Sequence, residues 1–335
     1  MIRVRLTQLD GSLPNLALMK LSHWHKSLGH DVTFTRQAHR DLFEPEYDAV
    51  YGSAIFQFSA PKLAIFLRDW PGAIIGGTGT YRKDTVEELI GAEYERYDYA
   101  IAPGFTPSIG FTQRGCRLSC KFCVVPGKEG RPRSVNTIAD IWRGPGHPKK
   151  LHLLDNDFFG QDEAQWRGRI EEIREGGFKV CLNQGINVRH ITPEAAAALA
   201  TVEYRDDQFT ERRIYTAWDN LKDEAVFFRG VDMLAAAGIP AKHIRAYMLV
   251  GFDKNETPER MFHRFDRMVA VGIEPFPMVF DCRAKDAALY RRLKQFQRWV
   301  VTGLYRAVPW SEYDSNRKLR PAVEAPADLF ASAPA

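Results

Sequence analysis

Apolar positions in the first hundred residues switch repeatedly between two periods. Ile2, Val4 and Leu6 alternate with polar neighbours, as in a strand, while Leu16, Leu18, Met19, Leu21 and Trp24 recur at helical spacing after Leu13-Pro14. Gly29, after Leu28, suits the end of that helix. Short apolar runs at 31–34, 48–51, 73–75 and 97–101 predict further strands. Helices are expected from Pro61 and from Thr85, the latter capped by Asp84. Strands alternating with helices predict a doubly wound, Rossmann-like parallel sheet in an α/β domain over residues 1–102.

Ala102-Pro103-Gly104-Phe105-Thr106-Pro107 has the composition of a linker. Beyond it the same alternation runs six more times. Strands are predicted at 109–112, 151–154, 180–182, 213–216, 244–250 and 277–280. Helical patterns follow around 137–142, 163–174, 193–199, 224–237, 258–271 and 286–305. Repeats of roughly 30–40 residues suit βα units with crossover helices. Six of them predict a partial TIM-type barrel over 103–308, short of the eight that close a full one. Residues 309–335 form a turn-rich C-terminal extension whose alanine- and proline-rich end is expected to fray.

Composition narrows the setting. An apolar fraction of 45% is ordinary for a globular protein, so a full core can form. The net charge of +4 is scattered, and Arg212-Arg213 and Arg291-Arg292 are short pairs rather than a continuous basic face. A nucleic-acid partner is therefore possible but not indicated. An odd set of five cysteines argues against a disulfide framework and for a reducing compartment. With no signal-peptide pattern at Met1 and no apolar run of membrane-spanning length, a cytoplasmic protein without membrane contact is expected.

The chemistry gathers in Phe111-Thr112-Gln113-Arg114-Gly115-Cys116-Arg117-Leu118-Ser119-Cys120-Lys121-Phe122-Cys123, where three of the five cysteines are spaced Cys-x3-Cys-x2-Cys. Thiolates are soft ligands, suited to an iron–sulfur cluster or to zinc. Structural zinc asks for four protein ligands, and here a histidine such as His147 or His152 would have to complete the set. Three ligands on a four-iron cluster leave one iron open, which points to catalysis. The alternative is a non-catalytic iron–sulfur or zinc protein that binds nucleic acid.

Cys116, Cys120 and Cys123, with Phe122 before the third, resemble the motif of the radical S-adenosylmethionine (SAM) superfamily. The resemblance implies a [4Fe-4S] cluster whose open iron chelates the methionine part of SAM. It implies reductive cleavage of SAM to a 5′-deoxyadenosyl radical that abstracts hydrogen from a substrate, here unidentified, with methylation one possible outcome. It also implies a (β/α)6 core and an external one-electron donor such as flavodoxin or ferredoxin. The first domain looks like the cobalamin-binding-type domain that precedes many members. The loop after its first strand, Thr7 to Leu13, lacks the histidine that often ligates cobalt there. Cobalamin is an expectation on this basis, and methyl transfer would fit it.

Other candidates lie where predicted strands end, since barrel sites are built there. Asp155, Asn156 and Asp157 follow the second strand and offer acceptors for the SAM amino group, or an N-cap cluster for the helix near Asp162. Asn183-Gln184-Gly185-Ile186-Asn187-Val188-Arg189 follows the third and is similar to an Asn-Gln-Gly-x-Asp-x-Arg run of some radical SAM proteins, with Asn187 in the acidic place. Asn183 and Gln184 suit ribose hydroxyls, and Arg189 suits a carboxylate. Trp218 ends the fourth strand, as a substrate-pocket wall or as packing, and Gly251, after the fifth, lies in a segment that resembles the one bordering the nucleoside in that family, where a glycine would let the backbone approach adenine. Met278 in the sixth suits a shielding apolar wall or the core, and Cys181 and Cys282 read as a methyl acceptor, an auxiliary ligand or buried thiols. In the first domain, Gly76-Gly77-Thr78-Gly79 ends a strand as either a ligand loop or a tight turn.

Overall fold

The computed structural model describes residues 1–80, 82, 84–281 and 286–313. Cys282 and the end of the C-terminal extension, 314–335, lie outside the described residues. The chain divides into two compact units. The first comprises Met1–Asn187, Ile191–Ile214 and Ala236–Gly238. The second comprises Val188–His190, Tyr215–Ala235 and the described residues from Ile239 onward. Residue 102 lies within the first.

The first unit begins with β1 (Arg3–Gln8), α1 (Leu16–Ser27), β2 (Asp31–Thr35), β3 (Ala49–Ser53), α2 (Ala60–Asp69), β4 (Ile74–Gly76) and α3 (Val86–Ile90). The four strands form one parallel sheet in the order β2-β1-β3-β4, an α/β arrangement of the Rossmann-like kind. Val4 and Leu6 of β1 are fully buried and pack with Leu18 and Leu21 of α1, which is what their two periods anticipate. Phe66 of α2 rests on Gly52 of β3, where a Cβ would come within 2.4 Å of its ring.

Two local expectations are corrected. Thr85, not Asp84, caps α3, in a capping box with Glu88. The stretch 97–101 is no strand: Tyr99–Ile101 is a 3-10 turn, because the Asp98 carboxylate accepts the Ala100 N–H at 2.9 Å and competes with strand pairing.

The unit continues with β5 (Ser108–Gly110), β6 (Gln113–Arg114), α4 (Val125–Lys128), β7 (Arg133–Ser134), α5 (Ile138–Ile141), β8 (Lys150–Leu153), α6 (Glu163–Gly176), β9 (Lys179–Leu182), α7 (Pro193–Ala200) and β10 (Glu203–Tyr204). A second parallel sheet has the order β10-β9-β8-β5, while β6 and β7 pair antiparallel. Asp162 precedes α6, but its side chain caps no N–H.

The second unit carries most of β11 (Ile214–Ala217) and α8 (Glu224–Ala236), then β12 (Ile244–Val250), α9 (Pro258–Ala270), β13 (Glu274–Val279) and α10 (Ala287–Val301). Its sheet has the order β11-β12-β13. Burial alternates residue by residue along β12, from Ile244 to Val250. α10 ends at Val301, earlier than the pattern predicts, and a 3-10 turn, Leu304–Arg306, follows Gly303, whose φ is +74°. Trp310, the start of the predicted extension, packs among Phe262, Phe296 and Trp299. The six predicted barrel strands thus fall into two hydrogen-bonded sheets, and a single barrel sheet is not shown.

Candidate metal centre

The chain leaves β5 and turns at once into the β6–β7 hairpin, which carries the three cysteines between its strands. Asp155, just past the end of β8, fixes this departure. Its carboxylate accepts the Thr112 N–H at 2.7 Å and the Gln113 N–H at 3.1 Å, and the Thr112 hydroxyl donates to it as well. Asp155 is only 2% exposed, so these donors replace the water it has lost. The Gln113 amide NH2 donates to the carbonyls of Arg114 (2.6 Å) and Gly115 (2.8 Å), and its oxygen accepts the Asp157 N–H at 3.0 Å.

Gly115 has φ +82°, and a Cβ there would lie 2.2 Å from the Arg131 carbonyl oxygen. Only glycine admits both the conformation and the approach. The far arm comes back so closely that Cys116 donates its N–H to the Gly130 carbonyl at 3.2 Å. Glu129 holds the near arm: its carboxylate accepts Arg114 Nε and Nη2, both at 3.1 Å, the Gly115 N–H at 3.0 Å and Asn156 Nδ2 at 2.8 Å. Asp157 holds the tip through Arg117, with Nε at 2.7 Å and Nη2 at 2.9 Å. Both are paired, charge-assisted contacts, the strongest kind available to side chains.

Within this frame Cys116 and Cys120 are half-buried and Cys123 is exposed. The Leu118 N–H donates to the Cys116 sulfur at 3.4 Å, and the Cys123 N–H donates to the Cys120 carbonyl at 3.0 Å. Burial pushes the Cys116 thiol up, the Leu118 N–H opposes this, and the charges of Asp157, Cys123 and Cys120 raise it further. Three soft donors on one short loop, with the Leu118 N–H aimed at the Cys116 sulfur, fit an iron–sulfur cluster. Among the described residues no group of three or more His, Cys, Asp or Glu side chains is drawn together closely enough to hold a single metal ion. Of the two histidines offered as a fourth zinc ligand, His147 is exposed and His152 is buried with its Nδ1 3.0 Å from Asn183 Oδ1.

The remaining predicted residues are distributed as follows. In the first unit, Phe122 is exposed, Asn156 is half-buried, Asn183 is held by His152, and Gln184 is exposed. Gly185 turns the chain with φ +81°. Asp155 is placed as a brace beneath the loop rather than at its surface. Cys181 is fully buried, and burial pushes its thiol up, so it is an inert part of the core. In the second unit, Arg189 Nη1 lies 2.8 Å from Asp223 Oδ2, and Gly251, with φ +83°, donates its N–H to Glu256 at 3.2 Å. Trp218 is fully buried and stacked on Phe227, which makes it packing rather than a pocket wall. Met278 is 45% exposed and so is not core. Glu129 and the arginine partners were missed from the sequence. The signal was there in two arginines, Arg114 and Arg117, flanking Cys116 and requiring carboxylates.

In the first unit the loop after β1 is closed on itself. The Gln8 amide donates to the Asp10, Gly11 and Leu13 carbonyls, Asp10 accepts the Ile55 and Phe56 N–H groups, and Asn15 Nδ2 donates to Ser53 Oγ at 2.8 Å. The glycine run packs against backbone: a Cβ on Gly77 would meet the Ala54 carbonyl oxygen at 2.3 Å, and one on Gly79 the Phe56 carbonyl oxygen at 2.5 Å. Among the described residues no helix is long and apolar enough to cross a membrane. Comparison with known proteins finds no matching family model, no similar curated protein and no similar solved structure.

Proposed function

We propose that the chain is a radical SAM enzyme in which Cys116, Cys120 and Cys123 hold a [4Fe-4S] cluster. The observation that carries the reading is the cysteine hairpin itself, a three-thiol loop at the carboxyl end of a parallel strand, clamped by Glu129 and Asp157. When bound, the cluster supplies the single electron that cleaves SAM reductively. The chain's own residues hold and orient. Arg114 and Arg117, tied to their carboxylates, keep the loop backbone in place. Asn156, Asn183 and Gln184, beyond the ends of β8 and β9, are the polar groups of the first unit that would receive SAM. Arg189, in the turn after β9, and Gly251, after β12, would supply the carboxylate and nucleoside contacts that the resemblance implies. In this reading β5, β8, β9, β11, β12 and β13 are the six strands of a partial (β/α)6 barrel. Substrate and electron donor are left open, with an external flavodoxin or ferredoxin the expected donor class. Cobalamin stays outside the proposal, because the β1 loop has no histidine and its Gln8, Asp10 and Asn15 side chains are engaged within the protein.

The test is anaerobic reconstitution with iron and sulfide, then SAM and dithionite. Iron bound per chain and 5′-deoxyadenosine formed are measured for the wild type and for the triple Cys116→Ala, Cys120→Ala, Cys123→Ala variant. The proposal expects both to be lost in the variant. Zinc without iron in the purified protein, or undiminished 5′-deoxyadenosine from the variant, overturns it. Strongly salt-dependent binding to nucleic acid without SAM cleavage is what the non-catalytic alternative predicts.

A further inference from the structure

A cavity of about 360 Å³ opens beyond the carboxyl ends of β1 and β2, in the first unit. Ligands of doubly wound sheets bind beyond strand ends of this kind, and the volume is within the range of small-molecule sites. Its lining is uneven in a way that selects a ligand. Phe34, at the end of β2, and Phe105 contribute aromatic rings, and the 101–104 segment adds aliphatic and proline surface. Arg36 is the one charged residue in the lining, and no carboxylate accompanies it among the described residues.

The polar walls are preformed. Gln8 and Asn15 are buried, and the Gln8 amide is tied to the carbonyls of Asp10 and Leu13, each at 2.9 Å. Asn15 caps α1, accepting the Leu18 N–H at 3.2 Å. The positive end of the 12-residue helix α1 therefore faces the same space. Arg36 is exposed and spends one N–H on the Gly11 carbonyl at 2.8 Å, which steers the guanidinium while leaving other donors of its fork. Two rings, a single guanidinium and fixed amides suit a flat ring bearing one anionic group.

We propose that this cavity is a binding site for a small planar aromatic carboxylate or phosphate, with Arg36 gripping the anion and Phe34 and Phe105 contacting the ring. The site is independent of the cysteine hairpin, so it stands or falls apart from the SAM reading.

Ligand-observed NMR titration of the full chain with benzoate, phenyl phosphate and neutral benzamide tests it. At least one of the two anions is expected to bind at least tenfold tighter than benzamide. Arg36→Gln should remove that advantage while leaving benzamide binding unchanged, because the exposed side chain makes only a peripheral bond. Ser12→Trp, which fills the mouth, should abolish binding of all three, with the melting temperature of each variant confirming that it folds. Equal affinity for benzamide and both anions, unchanged anion binding in folded Arg36→Gln, or no binding of any ring compound at millimolar concentration overturns the proposal.

Discussion

Arg117 and Asp157 form a two-point ion pair, Nε to Oδ2 at 2.7 Å and Nη2 to Oδ1 at 2.9 Å, that ties the residue after Cys116 to the loop beyond β8. The Asp157 side chain is fully buried, and Gly160 makes room for it, since a Cβ there would lie 2.4 Å from Oδ2. Removing one partner of such a pair leaves the other uncompensated. Arg117→Ala should lower stability by about 2–3 kcal/mol. It should also reduce iron retained after anaerobic reconstitution, read by iron assay beside a denaturation curve. Iron retention equal to wild type would show that the clamp does not position the cysteines.

The hairpin's dependence on Gly115 is checked by a matched pair of substitutions. Gly115→Ala must place a Cβ 2.2 Å from the Arg131 oxygen at φ +82°, and should cost about 2–4 kcal/mol with loss of iron binding. Gly127→Ala, on α4 in the same loop, meets nothing within 4 Å. It should leave iron binding intact and change stability by no more than about 1 kcal/mol.

Asp155 should make stability depend on pH in a defined window. Burial pushes its carboxyl up to about 7, against the Thr112 and Gln113 donors that favour the charged form. The folded chain then holds the proton more tightly than the unfolded one. The stability this contributes is complete below about pH 4 and is lost as pH rises through about 7. Asp155→Asn does not titrate. The stability of wild type relative to this variant should therefore fall across that window, by up to about 1.4 kcal/mol per pH unit, and level off above it. Urea denaturation of the metal-free chain at several pH values measures this, and a constant difference would refute it.

Arg264 does for the second unit what Asp155 does for the first. It is 1% exposed, and it donates to the Trp218 carbonyl at 2.8 Å, to the Leu249 carbonyl at 2.9 Å and to Glu256. Glu256 in turn holds the Gly251 N–H. Arg264→Ala should cost about 3–5 kcal/mol, because it strands buried acceptors and a carboxylate. Arg264→Lys should not restore it, since a single ammonium cannot span the fork's three partners. Thermal unfolding of the two variants decides the point.

How far the sequence disclosed all this depends on the range of the interactions. The strand 244–250 was legible in full because alternation is a local signal, and β12 buries every second residue. The stretch 97–101 misled because its apolar spacing is strand-like while Asp98 bonds locally to Ala100. At the site, the cysteine spacing was legible, since it lies within eight consecutive residues. The clamp was not, because Glu129 and Asp157 meet Arg114 and Arg117 across 15 and 40 residues of chain. The place of Asp155 at a strand end suits either a ligand contact or an N-cap cluster. Whether such a carboxylate faces outward or downward is decided by packing, and here it turns under Thr112.

The β6–β7 hairpin is fastened by carboxylates, arginines and backbone bonds, none of which involves sulfur–metal bonding. The entropy of fixing the arms at Arg114, Gly115 and Arg117 is thus spent when the polypeptide folds, while the three sulfurs still have to converge. On the reading proposed above, loading would complete the ordering of the loop rather than fill a finished site, and until then the exposed Cys123 stays open to oxidants.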